Sequence, residues 1–236
     1  MKQMFNIFKR EFFGYFNSMI AYIFITVFLV LANFFFFKGF FINNVLTMRS
    51  FFEITPWIFL FFIPTVTMRL WAEEKRTGTR EILFTMPVSE WDIVLGKFFG
   101  ALVFVAIALF LTINIPVTLL FLGRPDMGPV IGGYLGLFFI AASYIAIGMF
   151  ASSITSNQII AYIIGAAICF LLFVLGQSFV TITASPFWAR FFAAISISSH
   201  FDSISRGVLD LVDLGYYAGL TAVFLFLVYV MIKKRV

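Results

Sequence analysis

The chain has 236 residues, 62% of them hydrophobic and 11% charged, with a mean hydropathy of +1.06 and a formal net charge of +5. An ordinary soluble domain carries about 25% charged residues, so the composition excludes a soluble globular protein and describes a polytopic membrane protein. The basic balance is no sign of nucleic-acid binding, because the cations stand at the ends of apolar runs and no basic stripe with interleaved aromatics lies outside them.

Residues 1–17 form an amphipathic pattern. Met1, Met4, Phe5, Phe8, Phe12 and Phe16 recur at three- and four-residue spacing, with Lys2, Asn6, Lys9 and Arg10 on the other side. Such a helix lies in the membrane interface, rings in the acyl boundary and cations among headgroups; a cytoplasmic extension of the first span is the plainer alternative.

Six apolar runs follow, at 18–37, 51–68, 93–122, 130–152, 159–180 and 214–232. About 20 residues cover the hydrocarbon core, so each is read as a transmembrane helix. The first run exceeds a signal-peptide core of about 7–15 residues and no small-x-small cleavage site follows it. Pro64 and Pro116 remove backbone hydrogen bonds and predict kinks in the second and third spans. Lys97 is expected where the third span leaves water. Between Asp126 and Arg190 there is no charge; two spans must fit there, and the polar stretch 152–158 is their only break, read as a tight helical hairpin. Cys169 lies mid-run and reads as a small buried hydrophobe.

With the N-terminus inside, the inner face carries eleven Lys and Arg and the outer face five, which favours both termini in the cytoplasm. The longest outer segment is then 181–213. Its part from Pro186 to Ile197 is apolar and too short to span, so it is re-entrant or interfacial. A short outer helix is expected over 205–213. His200 is expected to bond Asp202 or backbone. One membrane domain, 1–236, accounts for the chain: an all-α fold with six spans.

Catalytic chemistry finds few residues. There is one His and one Cys, no H-E-x-x-H, no G-x-S-x-G near His200 and no P-loop around Gly96-Lys97. No metal site and no catalytic residue is expected.

The stretch 69–92 gathers nine charged residues between two apolar spans. Residues 71–76 continue the second span into water as a helix, which Gly78 interrupts. Thr79 can cap a new short helix with Glu81 at its positive end; Ile82, Leu83, Phe84 and Met86 form its apolar side and Pro87 ends it. Two readings fit: a helix resting on lipid, or a knob that docks in a groove of a cytoplasmic partner.

The string E-E-K-R-T-G-T-R-E-I-L-F-T-M-P-V-S from Glu73 to Ser89, followed by Ile93-Val94-Leu95-Gly96-Lys97, resembles the coupling-helix region of ABC-2-type transporter permeases. His200-Phe201-Asp202, the run from Ser205 to Asp210 and Tyr216-Tyr217 are similar to the matching segment of the gliding-motility-associated permeases, and the resemblance covers nearly the whole chain. It implies a permease subunit in the bacterial cytoplasmic (inner) membrane with no ATPase of its own. A separate ABC ATPase dimer would bind ATP and Mg, this chain would carry no cofactor, and a second permease copy or paralogue would complete the pair. An accessory membrane protein with an extracytoplasmic domain is a further implied partner. Glu73, Glu74, Arg76, Thr79, Arg80, Glu81, Ile82, Leu83, Phe84 and Met86 would contact the ATPase. Trp188, Arg190, His200, Asp202 and Arg206 would form an external gate or the accessory-protein contact. The rival reading is a non-transporting membrane scaffold that uses the same knob to recruit a partner.

Overall fold

A chain in hydrocarbon must satisfy its backbone N–H and C=O groups internally, and the apolar runs accordingly become helices. The computed structural model describes residues 2–43, 45–79, 88–182 and 185–233, and these contain no strand. Helix α1 (Lys2–Phe16) precedes α2 (Met19–Asn43). α3 (Arg49–Thr67) runs on into α4 (Arg69–Thr77). α5 (Glu90–Phe110) continues through a 3-10 turn (Leu111–Ile113) into α6 (Asn114–Leu122). α7 (Met127–Ile154) and α8 (Gln158–Val174) form a hairpin. The short α9 (Ser178–Thr181), α10 (Pro186–Ile195) and α11 (Ile197–Ser205) lead to α12 (Leu211–Lys233).

Among the described residues five stretches are long and apolar enough to cross a membrane: Ala21–Ile42, Arg49–Thr77, Glu90–Leu122, Met127–Ile154 and Leu211–Lys233. The fifth apolar run, expected over 159–180, gives a shorter helix of 17 residues ending at Val174. There the Gln177 N–H returns to the Val174 carbonyl at 2.9 Å, and a side chain on Gly176 would collide with the hydroxyls of Ser196 and Ser199. The turn lets the start of α11 pack where a longer helix would run.

α7 is the central helix, and glycine makes its packing possible. Gly133 faces the Phe52 ring, Gly148 faces Thr67, and Gly132 and Gly136 face Ile204 and Phe201 of α11. Small residues permit such close approach where no hydrophobic force drives helices together. α2 is peripheral: Ala21, Ile25, Phe28, Ala32 and Phe36 are buried at three- and four-residue spacing, while Tyr22, Ile23, Val27, Val30 and Phe34 are exposed. That is one stripe for protein and the rest for lipid.

Polar residues inside the spans bond to carbonyls of their own helices or to one another. Asn114 Nδ2 donates to Asn33 Oδ1 at 2.9 Å, Thr118 donates to the Asn114 carbonyl, and Ser143 and Thr221 hydroxyls lie 3.3 Å apart. Pro116 has no N–H for the Thr112 carbonyl, and the Tyr134 hydroxyl donates to that carbonyl instead at 3.1 Å. The hairpin falls where the sequence breaks: Asn157 Oδ1 accepts from the Ile159 N–H at 2.9 Å and caps α8.

The helix expected over 205–213 lies instead at 197–205. Ser196 Oγ accepts from the Ser198 N–H and starts α11, and Gly207, at φ +87°, lies in the turn that follows it. Asp210 Oδ1 then accepts from the Val212 N–H at 3.1 Å, and the last span begins. Side-chain caps, which compete with helix propensity over a few residues, set this register.

Candidate coupling site

α4 is the stem of the charged segment, and its helical period gives it three working faces. Trp71, Ala72 and Lys75 face the end of α7. Ser152 Oγ accepts from the backbone N–H of Trp71 and of Ala72, each at 3.0 Å, and donates to the Met68 carbonyl at 2.8 Å. One hydroxyl thus bridges the α3–α4 joint. The Lys75 ammonium donates to the Ser153 carbonyl.

The second face carries Leu70 and Glu74. Between them enters Lys97 of α5, whose side chain is 1% exposed. Its ammonium donates to Glu74 Oε1 at 2.7 Å, to Glu11 Oε1 at 3.1 Å and to the Leu70 carbonyl at 2.9 Å. The three donors of an ammonium are all used, and the Trp71 ring centroid lies 4.9 Å away. Arg10 closes the cluster from outside, 3.0 Å from Glu11 and 3.4 Å from Glu74. Two cations meet two carboxylates, as burial of charge requires. Burial opposes ionisation of Glu11, yet Lys97 and Arg10 outweigh it and hold its carboxyl below the ordinary glutamate value of 4.5. Lys97 is therefore shielded by protein. It is buried because α1 and α4 bring carboxylates to it.

Glycine also lets α1 come close. Ile7, Glu11 and Tyr15, each four residues apart, meet Gly96, Gly100 and Phe104 of α5, also four apart. A Cβ on Gly96 would lie 2.8 Å from Ile7 Cγ2, and one on Gly100 would lie 3.0 Å from Glu11 Cβ. Tyr15 stacks on Phe104 with ring centroids 4.8 Å apart. The apolar side of α1 is thus split. One stripe packs on α5, and a second, Phe5–Phe8–Phe12–Phe16, stacks along the helix, with Phe5 half exposed. The amphipathic pattern shows the second stripe but not the role of Glu11; the signals for it are that Glu11 is the one acid in α1 and that 96–100 reads G-x-x-x-G.

The third face carries Arg69, Glu73 and Arg76, with Glu73 and Arg76 exposed. Gly78, at φ +72°, ends α4 in the left-handed conformation that glycine tolerates. Thr79 lies 2.9 Å from Thr77, hydroxyl to hydroxyl. Arg80, Glu81, Ile82, Leu83, Phe84 and Met86 lie outside the described residues. Of the expected contact residues, the structure thus places Glu73, Arg76 and Thr79 in the open and turns Glu74 inward. Ser89 Oγ accepts from the Asp92 N–H and caps α5, with Glu90 and Asp92 at its positive end.

At the opposite end, His200 meets backbone, one of the two partners expected, and an acid other than Asp202. Its Nδ1 lies 2.6 Å from Asp213 Oδ1 and its Nε2 lies 3.2 Å from the Ala194 carbonyl, with Tyr216 stacked 4.1 Å away. Asp202 instead rims a cavity of about 720 Å³ with Arg49, Glu53 and Arg206. Burial raises the Asp202 carboxyl above its ordinary value, against the pull of Arg206. Trp188 and Arg190 stand apart on the exposed α10. The five residues expected to act together therefore divide into a clamp, a cavity rim and an open aromatic helix. Among the described residues no group of His, Cys, Asp and Glu could hold a metal ion.

The sequence profile of the ABC-2 family transporter proteins matches residues 43–232. The chain belongs to this family. It is a multi-pass membrane protein of the permease type, in a family of ABC-transporter membrane components that are generally not catalytic themselves. No curated protein shows a significant match. The family match takes in Glu74 and Lys97 but begins after α1, so Glu11, the third member of the buried cluster, lies in a segment outside it.

Proposed function

We propose that the chain is the permease subunit of an ATP-driven ABC-2 transporter in the bacterial inner membrane, with both termini and the charged segment in the cytoplasm. It crosses six times, α8 and α9 together making the fifth passage. An ABC ATPase dimer binds ATP and Mg and grips residues 79–86, with Ile82, Leu83, Phe84 and Met86 as buried contact. Glu73, Arg76, Arg80 and Glu81 orient the encounter. A second permease copy or paralogue completes the pair, and the segment around α10 and α11 meets an accessory protein of the gliding-motility-associated kind.

The buried junction at Lys97 supports this reading most. A segment that is pushed by ATP must be stiffly joined to the spans it moves. α4 is joined to α5 and α1 through Lys97, and to the α7–α8 hairpin through Ser152. A displacement of α4 therefore carries four helices with it.

Photo-crosslinking from Ile82 or Leu83 in living cells tests the assignment. An adduct with an ABC ATPase is expected, and Leu83→Asp with Phe84→Asp should abolish both the adduct and the stimulation of ATP hydrolysis. A partner without ATPase activity would favour the scaffold reading. Cys169 is the chain's only cysteine and is buried, so a cysteine at Thr79 reports the sidedness of the segment; labelling from outside the cell would overturn the orientation.

A further inference from the structure

The third face of α4 opens on a cavity, and two of the residues that line it, Glu73 and Arg76, are shared with the proposed ATPase contact. It has a volume of about 400 Å³, inside the range of about 300–1,000 Å³ typical of small-ligand sites. Its apolar wall comes from Ala21 and Phe24 of α2, Val66 of α3 and Phe104 of α5. Tyr15 also lines it, with its hydroxyl 3.4 Å from the Val66 carbonyl. The neighbours of this wall on α2, Tyr22 and Ile23, are exposed, so the cavity sits beside a lipid-facing surface.

Its polar wall is cationic. Arg69, Glu73 and Arg76 lie on one face of α4 at four- and three-residue spacing, and all three line the cavity. The Arg69 guanidinium sits over the Tyr15 ring at 4.8 Å. Neither arginine forms an ion pair among the described residues, although Glu73 is near both in sequence. Lys97 and Arg10, by contrast, have taken Glu74 and Glu11. Two guanidinium groups against one carboxylate leave a net positive site. Gln158, at the start of α8, adds a side-chain amide.

We infer that this cavity binds an anionic phospholipid, with the phosphate held between Arg69 and Arg76 and the first part of an acyl chain lying along Phe24, Val66 and Phe104. Guanidinium matches phosphate in bidentate geometry, and basic pockets between transmembrane helices select lipids of this charge. The bound lipid fills the gap between α2 and the α3–α4 joint. It presses on the same stem that Lys97 and Ser152 hold from the other two faces. The inference needs the Arg69 end of α3 to lie at a membrane surface, and because Glu73 and Arg76 are shared with the proposed ATPase contact it is tested on the chain with no ATPase present.

Native mass spectrometry of the purified full chain, with melting measured in parallel, tests it. The probes are phosphatidylglycerol, phosphatidylcholine and inorganic phosphate. Phosphatidylglycerol should remain as an adduct and raise the melting temperature; phosphatidylcholine and phosphate should do neither. Stabilisation by inorganic phosphate alone would show a free-anion site and overturn the lipid. Arg69→Gln with Arg76→Gln should lower phosphatidylglycerol occupancy by about five-fold for each charge lost. Equal occupancy in this variant, or equal retention of the two lipids by the native chain, would overturn the site. Glu73→Gln keeps both arginines and removes the opposing carboxylate, so it should raise occupancy. Lower or unchanged occupancy there also counts against the inference, even where the double variant folds poorly.

Discussion

The two ends of this helix bundle solve one problem in different ways. At the charged end, α1, α4 and α5 are joined by three charged groups around a lysine that water scarcely reaches. At the far end, α11 is fixed to α7, α8 and α12 by close glycine contacts and hydroxyl-to-carbonyl bonds. Ser198 Oγ donates to the Phe173 carbonyl at 2.8 Å, Tyr217 donates to the Ile197 carbonyl at 2.8 Å, and Tyr216 donates to the Ile195 carbonyl, with the single His200–Asp213 pair beside them. A neutral bond contributes about 1 kcal/mol, whereas a buried ion that loses its partner costs several times that. The charged end is thus the more brittle of the two under substitution, and the far end the more tolerant of changes to any one polar group.

The sharpest way to break this contrast is Lys97→Met. It leaves Glu11 and Glu74 without their central cation and should cost about 3–5 kcal/mol, read as a large fall in the melting temperature of the purified chain. A small fall would mean that the cluster is not buried in the working protein. Gly132→Val should cost about 1–3 kcal/mol by forcing α11 off α7, because its Cβ would collide with the Ile204 carbonyl. Ser152→Ala removes the acceptor shared by the Trp71 and Ala72 N–H groups and should cost about 1–2 kcal/mol. Proteolysis within 78–89 should accelerate in that variant if the bridge steadies α4. Tyr217→Phe, a single neutral bond at the far end, should cost about 1 kcal/mol.

Acid probes the same contrast with a smaller effect. The Glu11 carboxyl is held below its ordinary value in the fold, so the unfolded chain takes up its proton first. Its stabilisation is fully present above about pH 4.5, the ordinary value, and is lost as pH falls through the lowered native value. The native chain should therefore lose stability below that point more steeply than Glu11→Gln. Parallel curves for the two would place Glu11 outside the cluster.

Composition and apolar run length alone determined that the protein lives in a membrane, roughly where its spans lie, that a turn interrupts 152–158 and that charge collects over 69–92. Each of these is a property of a single segment, set by its own transfer into hydrocarbon or water. Tertiary structure alone decided that Lys97 is buried, that Glu74 turns inward while Glu73 stays in the open, and that His200 takes Asp213 in place of Asp202. Lys97 and Glu11 are 86 residues apart, and nothing local to either one announces the other. Their meeting depends on Gly96 and Gly100 letting α1 approach α5, and a charge is worth burying only once its partner has arrived.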